Sequence, residues 1–168
     1  MTDNNEHKLK KVDIDKKIIL DVSPYQGNRA QLLSDEAVFN FEDGIPAFED
    51  ACNFIIITND DMQPFLYMKS LDIEELGFVC VDPFLIKKDF VVKIPAADLV
   101  KLELEDASDA LVLSFVTVYS DPKDNTANLL APLVINLKNR KGRQIILEKY
   151  PVRYKIWEGL EEISQEED

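Results

Sequence analysis

Leu113-Ser114-Phe115-Val116-Thr117-Val118-Tyr119 alternates with a period of two, the side-chain repeat of an extended strand. Leu113, Phe115, Thr117 and Tyr119 fall on one face and Ser114, Val116 and Val118 on the other. Both faces carry apolar groups, so the strand belongs in the middle of a sheet rather than at its rim. The parent run, ALVLSFVTVYS (110–120), stops at Asp121-Pro122. Similar runs stand on either side of it: KIILDV (17–22), AVFNF (37–41), NFIIIT (53–58), PFLYMKSL (64–71), GFVCV (77–81) and FVVKI (90–94) before, PLVINL (132–137) and RQIILEKY (143–150) after. Residues 138–142 separate the last two as a hairpin-like turn. Short strands at this spacing, punctuated by Pro, Gly, Asn and Asp, point to an all-β, mainly antiparallel sandwich or barrel.

One helix is expected, after Pro95, where AADLVKLE places Leu99 and Leu102 three apart with Asp98 near the start. Residues 1–15 read as a flexible, mixed-charge lead-in, and 164–168 as a solvated acidic tail. The 168 residues of the chain suffice for a single domain with one sizeable core. The lead-in has no apolar signal-peptide segment, and no apolar run approaches the ~20 residues of a membrane span. A cytoplasmic protein is expected, with Cys52 and Cys80 as reduced core thiols.

Nineteen Lys and Arg against 32 Asp and Glu leave a formal charge of −13. That charge repels phosphate backbones and anionic lipid, so neither direct nucleic-acid nor membrane binding is expected. It favours encounter with a basic partner. Catalytic chemistry has few candidates. The only histidine is His7, in the lead-in, so a Ser-His or Cys-His pair lacks its base. Cys52 and Cys80 have no second ligand pair for zinc, and the five glycines lie too far apart for a phosphate loop. The adjacent carboxylates Glu42-Asp43, Asp60-Asp61 and Glu74-Glu75 follow no calcium-loop spacing. No enzyme, metal or cofactor is expected.

Two stretches stand out. Between Ala30 and Met68 there is no Lys or Arg, while Asp35, Glu36, Glu42, Asp43, Glu49, Asp50, Asp60 and Asp61 are all acidic. At its centre lies FNFEDGIPAFED (39–50), in which Phe41, Ile45 and Phe48 alternate with acids around Gly44-Ile45-Pro46. Gly44 is free to take a positive φ, and Pro46 holds Ile45 extended, so the bend should be stiff. Its aromatics either tuck into the core or form an acid-ringed contact surface. The second stretch, NTANLLAPLVINLKNRKGRQIILE (125–148), sets Asn128 and Asn136 around an apolar run broken by Pro132. Pro132 implies a bulge or an exposed edge, on which Ile135 and its neighbours would receive a partner's strand or helix.

FNFEDGIPAFED, PFLYMKSLD, GFVCVDPFLIKKDF and NTANLLAPLVINLKNRKGRQIIL, in this order and spacing, resemble the bacterial flagellar assembly factor family, FliW, over residues 18–157. Ala47 stands where the family's bend reads Gly-Ile-Pro-Gly, and residues 25–33 are longer than its usual first hairpin. The resemblance implies a small β-barrel-like single domain with two cytoplasmic partners. One is flagellin, held in a chaperone-like way before export. The other is the carbon storage regulator CsrA, whose repression of flagellin translation is relieved when the factor binds it away from its RNA surface. The residues assigned to partner binding are Phe41, Glu42, Asp43, Gly44, Ile45, Pro46, Phe48, Glu49, Asp50, Asn128, Pro132, Ile135 and Asn136. Two other readings compete. A small-molecule-binding β-barrel would use LLAPLVI (129–135) as its cavity lining, and a carboxylate hydrolase would need a carboxyl with a raised pKa in a cleft.

Overall fold

The computed structural model describes residues 18–20 and 37–166. His7, the 1–15 lead-in, the long segment 25–33, Asp35, Glu36 and residues 167–168 lie outside them. The first half comprises β1 (Ile18–Leu20), β2 (Phe39–Asn40), β3 (Asn53–Ile57), β4 (Phe65–Ser70), β5 (Gly77–Val81), α1 (Pro83–Ile86), β6 (Val92–Ile94) and α2 (Ala96–Leu102). The second comprises β7 (Ala110–Thr117), β8 (Thr126–Ala127), β9 (Leu133–Asn136), β10 (Lys141–Gln144), β11 (Tyr154–Lys155) and α3 (Ile156–Glu166).

Seven strands close into a mixed barrel in the order β7-β5-β4-β3-β2-β10-β9 and back to β7. All neighbours are antiparallel except β10 and β2, which meet in parallel at Lys141 and Asn40. The run that opened the sequence reading supplies the closing strand. Ala110 to Leu113 pair with Asn136 to Leu133 of β9. Ser114 and Phe115 pair with Val81 and Cys80 of β5, and Val116 and Thr117 turn to β8. The two-stranded β1–β6 ribbon is a separate sheet.

The period-two alternation of β7 divides two cores. Leu111 and Leu113 point into the barrel with Phe39, Phe41, Phe54 and Met68. Ala110 and Val112 point outward into a second cluster with Ile94, Leu99, Leu102 and Ile156, where helices and β6 cover the wall. The lumen is thus packed side chain to side chain. Leu133 and Ile135, expected to line a ligand cavity in the alternative reading, are fully buried members of that packing.

Three short helices form rather than one. α2 falls where expected, with Leu99 and Leu102 buried. α1 begins at Asp82-Pro83, which the sequence reading took only as a strand stop. The Asp82 carboxylate accepts the Phe84 amide at 2.8 Å and Pro83 needs no N–H partner, so the pair starts a helix as well. α3 runs to Glu166, so Ser164 to Glu166 are an exposed helical turn. Its signal was Ile156, Leu160 and Ile163, an i, i+4, i+7 stripe hidden among acids.

The exposed edge expected at Pro132 is absent. β9 is bonded to β10 on one side and β7 on the other, and all four of its residues are buried. Pro132 sits just before the strand, where its missing N–H costs nothing and its carbonyl accepts the Ile145 amide at 2.9 Å. β10 also ends at Gln144, shorter than the expected 143–150 strand. Substituting Ile135→Asp would bury a carboxylate without a partner and cost more than about 4 kcal/mol. Thermal unfolding followed by circular dichroism should fall by about 10 °C or more, whereas Ile135→Val should lose only about 1 kcal/mol. An unchanged melt for Ile135→Asp would remove the residue from the core.

Candidate functional site

The FNFEDGIPAFED bend leaves β2 at one end of the barrel and returns to β3. Phe39, Phe41 and Ile45 are buried, while Phe48 keeps 39% of its surface exposed. The segment is therefore divided: the first aromatics tuck into the core and the last looks out. Three short backbone bonds stiffen the bend, Gly44 N–H to Phe41 O at 2.8 Å, Phe48 N–H to Ile45 O at 2.7 Å and Ala51 N–H to Phe48 O at 2.9 Å. Gly44 has φ +71, and a Cβ there would lie 2.6 Å from the Glu49 backbone, so only glycine fits. Ala47 also has φ +73, a left-handed conformation that costs a side chain about 1–2 kcal/mol.

Asp43 fastens the bend to the barrel wall. Arg143 on β10 donates to Asp43 through Nη1 and to Asp98 of α2 through Nε at 2.9 Å. Lys101 of α2 reaches Asp43 at 3.4 Å. The Arg143 hydrogen bond, with Lys101 behind it, holds the Asp43 carboxyl below the usual range. Gly142 lets β10 approach, since a Cβ there would meet the Phe41 ring at 2.5 Å. A cleft of about 200 Å³ lies between these parts, lined by Asp43, Gly44, Pro46, Glu49, Gly142, Arg143 and Gln144. Glu42, Glu49 and Asp50 are exposed and make no ion pair among the described residues.

A second acidic turn, residues 71–76 between β4 and β5, stands beside the bend and escaped the sequence reading. The Asp72 carboxylate accepts the Cys52 and Asn53 amides at 2.8 and 2.7 Å, and Leu71 N–H donates to Asn53 O at 2.8 Å. Those backbone donors, Asn53 first, lower the Asp72 pKa. Ser70 Oγ accepts from Asp72 and Ile73 and closes the turn. Phe48 meets Phe78 of β5 edge-on at 5.4 Å, and Phe78 stacks on Phe115 of β7 at 4.5 Å. The signal was present as LDIEEL (71–76), which repeats the apolar-acid alternation of the bend.

The other predicted residues divide. Asn128 lies at the same barrel end, its amide donating to Phe115 O at 2.8 Å, but its side chain accepts from Ala131 and is spent on a local turn. Pro132 and Ile135 are buried. Asn136 is at the opposite end of β9, where Nδ2 caps the C-terminus of α2 at Leu102 O and Glu103 O, 3.0 and 3.1 Å away. The second stretch therefore builds the barrel more than it faces a partner. Cys80 is buried, which pushes its thiol pKa up, whereas Cys52 is half-buried, not the core residue expected.

The chemistry of this end is that of a surface. Asp43 and Asp72 sit below their ordinary carboxylate values, as do Asp89 and Glu103 elsewhere in the fold, the reverse of a carboxyl held neutral as an acid. No group of His, Cys, Asp or Glu among the described residues could hold a metal ion. No helix among them is long and apolar enough to cross a membrane.

The comparisons with known proteins agree with one another. The family described as FliW protein matches residues 28–156. A flagellar assembly factor FliW from Caldicellulosiruptor saccharolyticus is 39% identical over 130 residues, spanning 76% of this chain and 85% of that protein. Its counterpart from Alkaliphilus metalliredigens is 39% identical over 137 residues, 80% of this chain and 85% of its own length. A crystal structure of the flagellar assembly factor FliW superposes with a TM-score of 0.66 at 30% identity, covering 73% of this chain and 86% of that one.

Ala47→Gly should relieve the left-handed strain at the cost of glycine's extra chain entropy, a net gain of about 0.5–1 kcal/mol. Calorimetry should show the melting temperature rising by about 1–3 °C. A fall would mean that Ala47 does not hold the positive φ.

Proposed function

The chain belongs to the FliW family of flagellar assembly factors, and from that premise we propose that it binds flagellin and CsrA in the cytoplasm. Flagellin is held as a chaperone-like client, and CsrA is bound so that its repression of flagellin translation is relieved. The chain acts by binding and not by catalysis. The observation that carries this reading is the bend at residues 42–50, where Phe48 is presented beside the exposed carboxylates of Glu42, Glu49 and Asp50. An RNA-binding repressor has a basic face, and an acidic turn attracts it from a distance, raising the association rate. Phe48 supplies an aromatic anchor of the kind that dominates interface energetics.

Asp43 is not among the steering charges, because Arg143 and Lys101 already neutralise it. Asn128, Pro132, Ile135 and Asn136 act through the fold and not by contact. A pull-down with purified flagellin and purified CsrA tests the reading at its base, and retention of neither at low salt would end it. The sharper variant is Glu42→Lys, Glu49→Lys and Asp50→Lys together. Stopped-flow association with CsrA should slow about tenfold at low salt, with a shallower salt dependence than wild type. An unchanged rate and slope would leave the bend as ordinary surface.

A further inference from the structure

In the barrel wall, the joint between β2 and β10 is the thinnest in backbone. Among the described residues the two strands register only at Asn40 and Lys141, and Asn40 N–H donates to Arg140 O at 2.8 Å. β4 and β5, by contrast, stay in register from Phe65 opposite Val81 to Lys69 opposite Gly77. Just past Asn40 the chain enters the 42–50 bend. Phe41 and Ile45 root it in the core, but Pro46 to Asp50 are all exposed. The cleft of about 200 Å³ lies between the bend and Gly142, Arg143 and Gln144 of β10. Side-chain charge spans what the backbone leaves open.

We propose that this joint is the opening point of the barrel and that Arg143 is its latch, a positioning residue through which α2 holds the bend closed. Arg143 sits between carboxylates on two different elements. Its Nη1 donates to Asp43 of the bend and its Nε to Asp98 of α2 at 2.9 Å. A guanidinium carries its donors in one rigid plane, so seating Nε on Asp98 also fixes where Nη1 points. Only 22% and 20% of the Arg143 and Asp98 side chains are exposed, against 57% for Asp43, so the Asp43 contact is the one that lets go. α2 is a firm base for the latch. At its far end Lys141 pairs with Glu103 at 2.9 Å, and Asn139 Nδ2 donates to Leu102 O at 3.0 Å. What pulls against the latch is backbone strain, since Ala47 holds φ +73 and such a conformation persists only while its surroundings enforce it. When Asp43 leaves Arg143, Ala47 relaxes and the local bonds donated by Gly44, Phe48 and Ala51 open, while the β3–β4–β5 wall stays folded. The inference concerns a motion, needs no partner and stands apart from the binding role proposed above.

Amide hydrogen exchange of the full chain, read residue by residue by NMR, tests it. The reporters are the bonded amides of Asn40, Gly44, Phe48 and Ala51, and the references are Tyr67 and Met68 of β4, which is paired on both sides. In the wild type the reporters should exchange at least about tenfold faster than the references, and added sodium chloride should speed the reporters alone. Asp98→Asn, at a residue whose hydrogen bond goes to β10 and not to the bend, should speed the reporters about tenfold further and leave the references unchanged. Arg143→Gln should do the same, and the double variant should do no more than Arg143→Gln, because both act through one contact. Glu103→Gln removes the other ion pair between α2 and β10 and should leave the reporters alone, which separates the latch from a general loosening of the helix. Melting temperatures should stay within about 3 °C of the wild type. Reporters indifferent to Asp98→Asn, an equal response to Glu103→Gln, additive effects in the double variant, or acceleration shared by Tyr67 and Met68 each overturns the latch.

Discussion

Closure of the barrel depends on one strand with divided loyalty. β7 gives its first four residues to β9 and its next two to β5, so a sheet that would otherwise have two open rims has a seam. The seam holds because β7 is apolar on both faces: Leu111 and Leu113 fill the lumen, and Ala110 and Val112 anchor the helices outside. Each large side chain buried in this way contributes about 1.5–3 kcal/mol. Closure also removes edges from the barrel wall, and with them the usual route by which a sheet recruits another chain. What remains for recognition are the turns at the ends and the faces of the short helices.

At one end, two turns of similar composition are held in place by different means. The 42–50 bend relies on backbone strain and ion pairs: Gly44 and Ala47 take left-handed conformations, and Asp43 is tied through Arg143 to Asp98. Asp43 is more than half exposed, so these ion pairs set orientation more than they add stability. The 71–76 turn relies on a single carboxylate, Asp72, capping the start of β3. Turns ordered before a partner arrives lose less entropy on binding, which matters for a site with few anchors. Asp50, Glu74 and Glu75 are exposed and make no ion pair among the described residues, which leaves their charge to attract.

The sequence was most legible where side-chain period and backbone coincide. The alternation around Leu113 placed the central strand and its two faces, though one core was expected where the two faces serve separate ones, and Gly44-Ile45-Pro46 placed a stiff bend. It was least legible where a residue has two meanings. Pro132 reads as an edge signal, yet a proline immediately before a buried strand satisfies the same rule. Asp82-Pro83 ends a strand and begins a helix in two residues. Asn136 looks like an exposed polar contact but caps α2, a partner 34 residues away that no local pattern announces. The site itself was half visible. The acidic bend could be found from charge alone, but its neighbour at 71–76 joins it only through the β3–β4 pairing, which is long-range information.

The central claim is that proteins are held at the barrel end built from these two turns. Titrating the isotopically labelled chain with unlabelled flagellin, and following backbone amide resonances, tests it most directly. The account predicts that shifts cluster at residues 42–53 and 70–78, with those of α1 and α3 unmoved. Shifts confined to the helical face, with the amides of Phe48 and Ile73 unchanged at saturation, would contradict it.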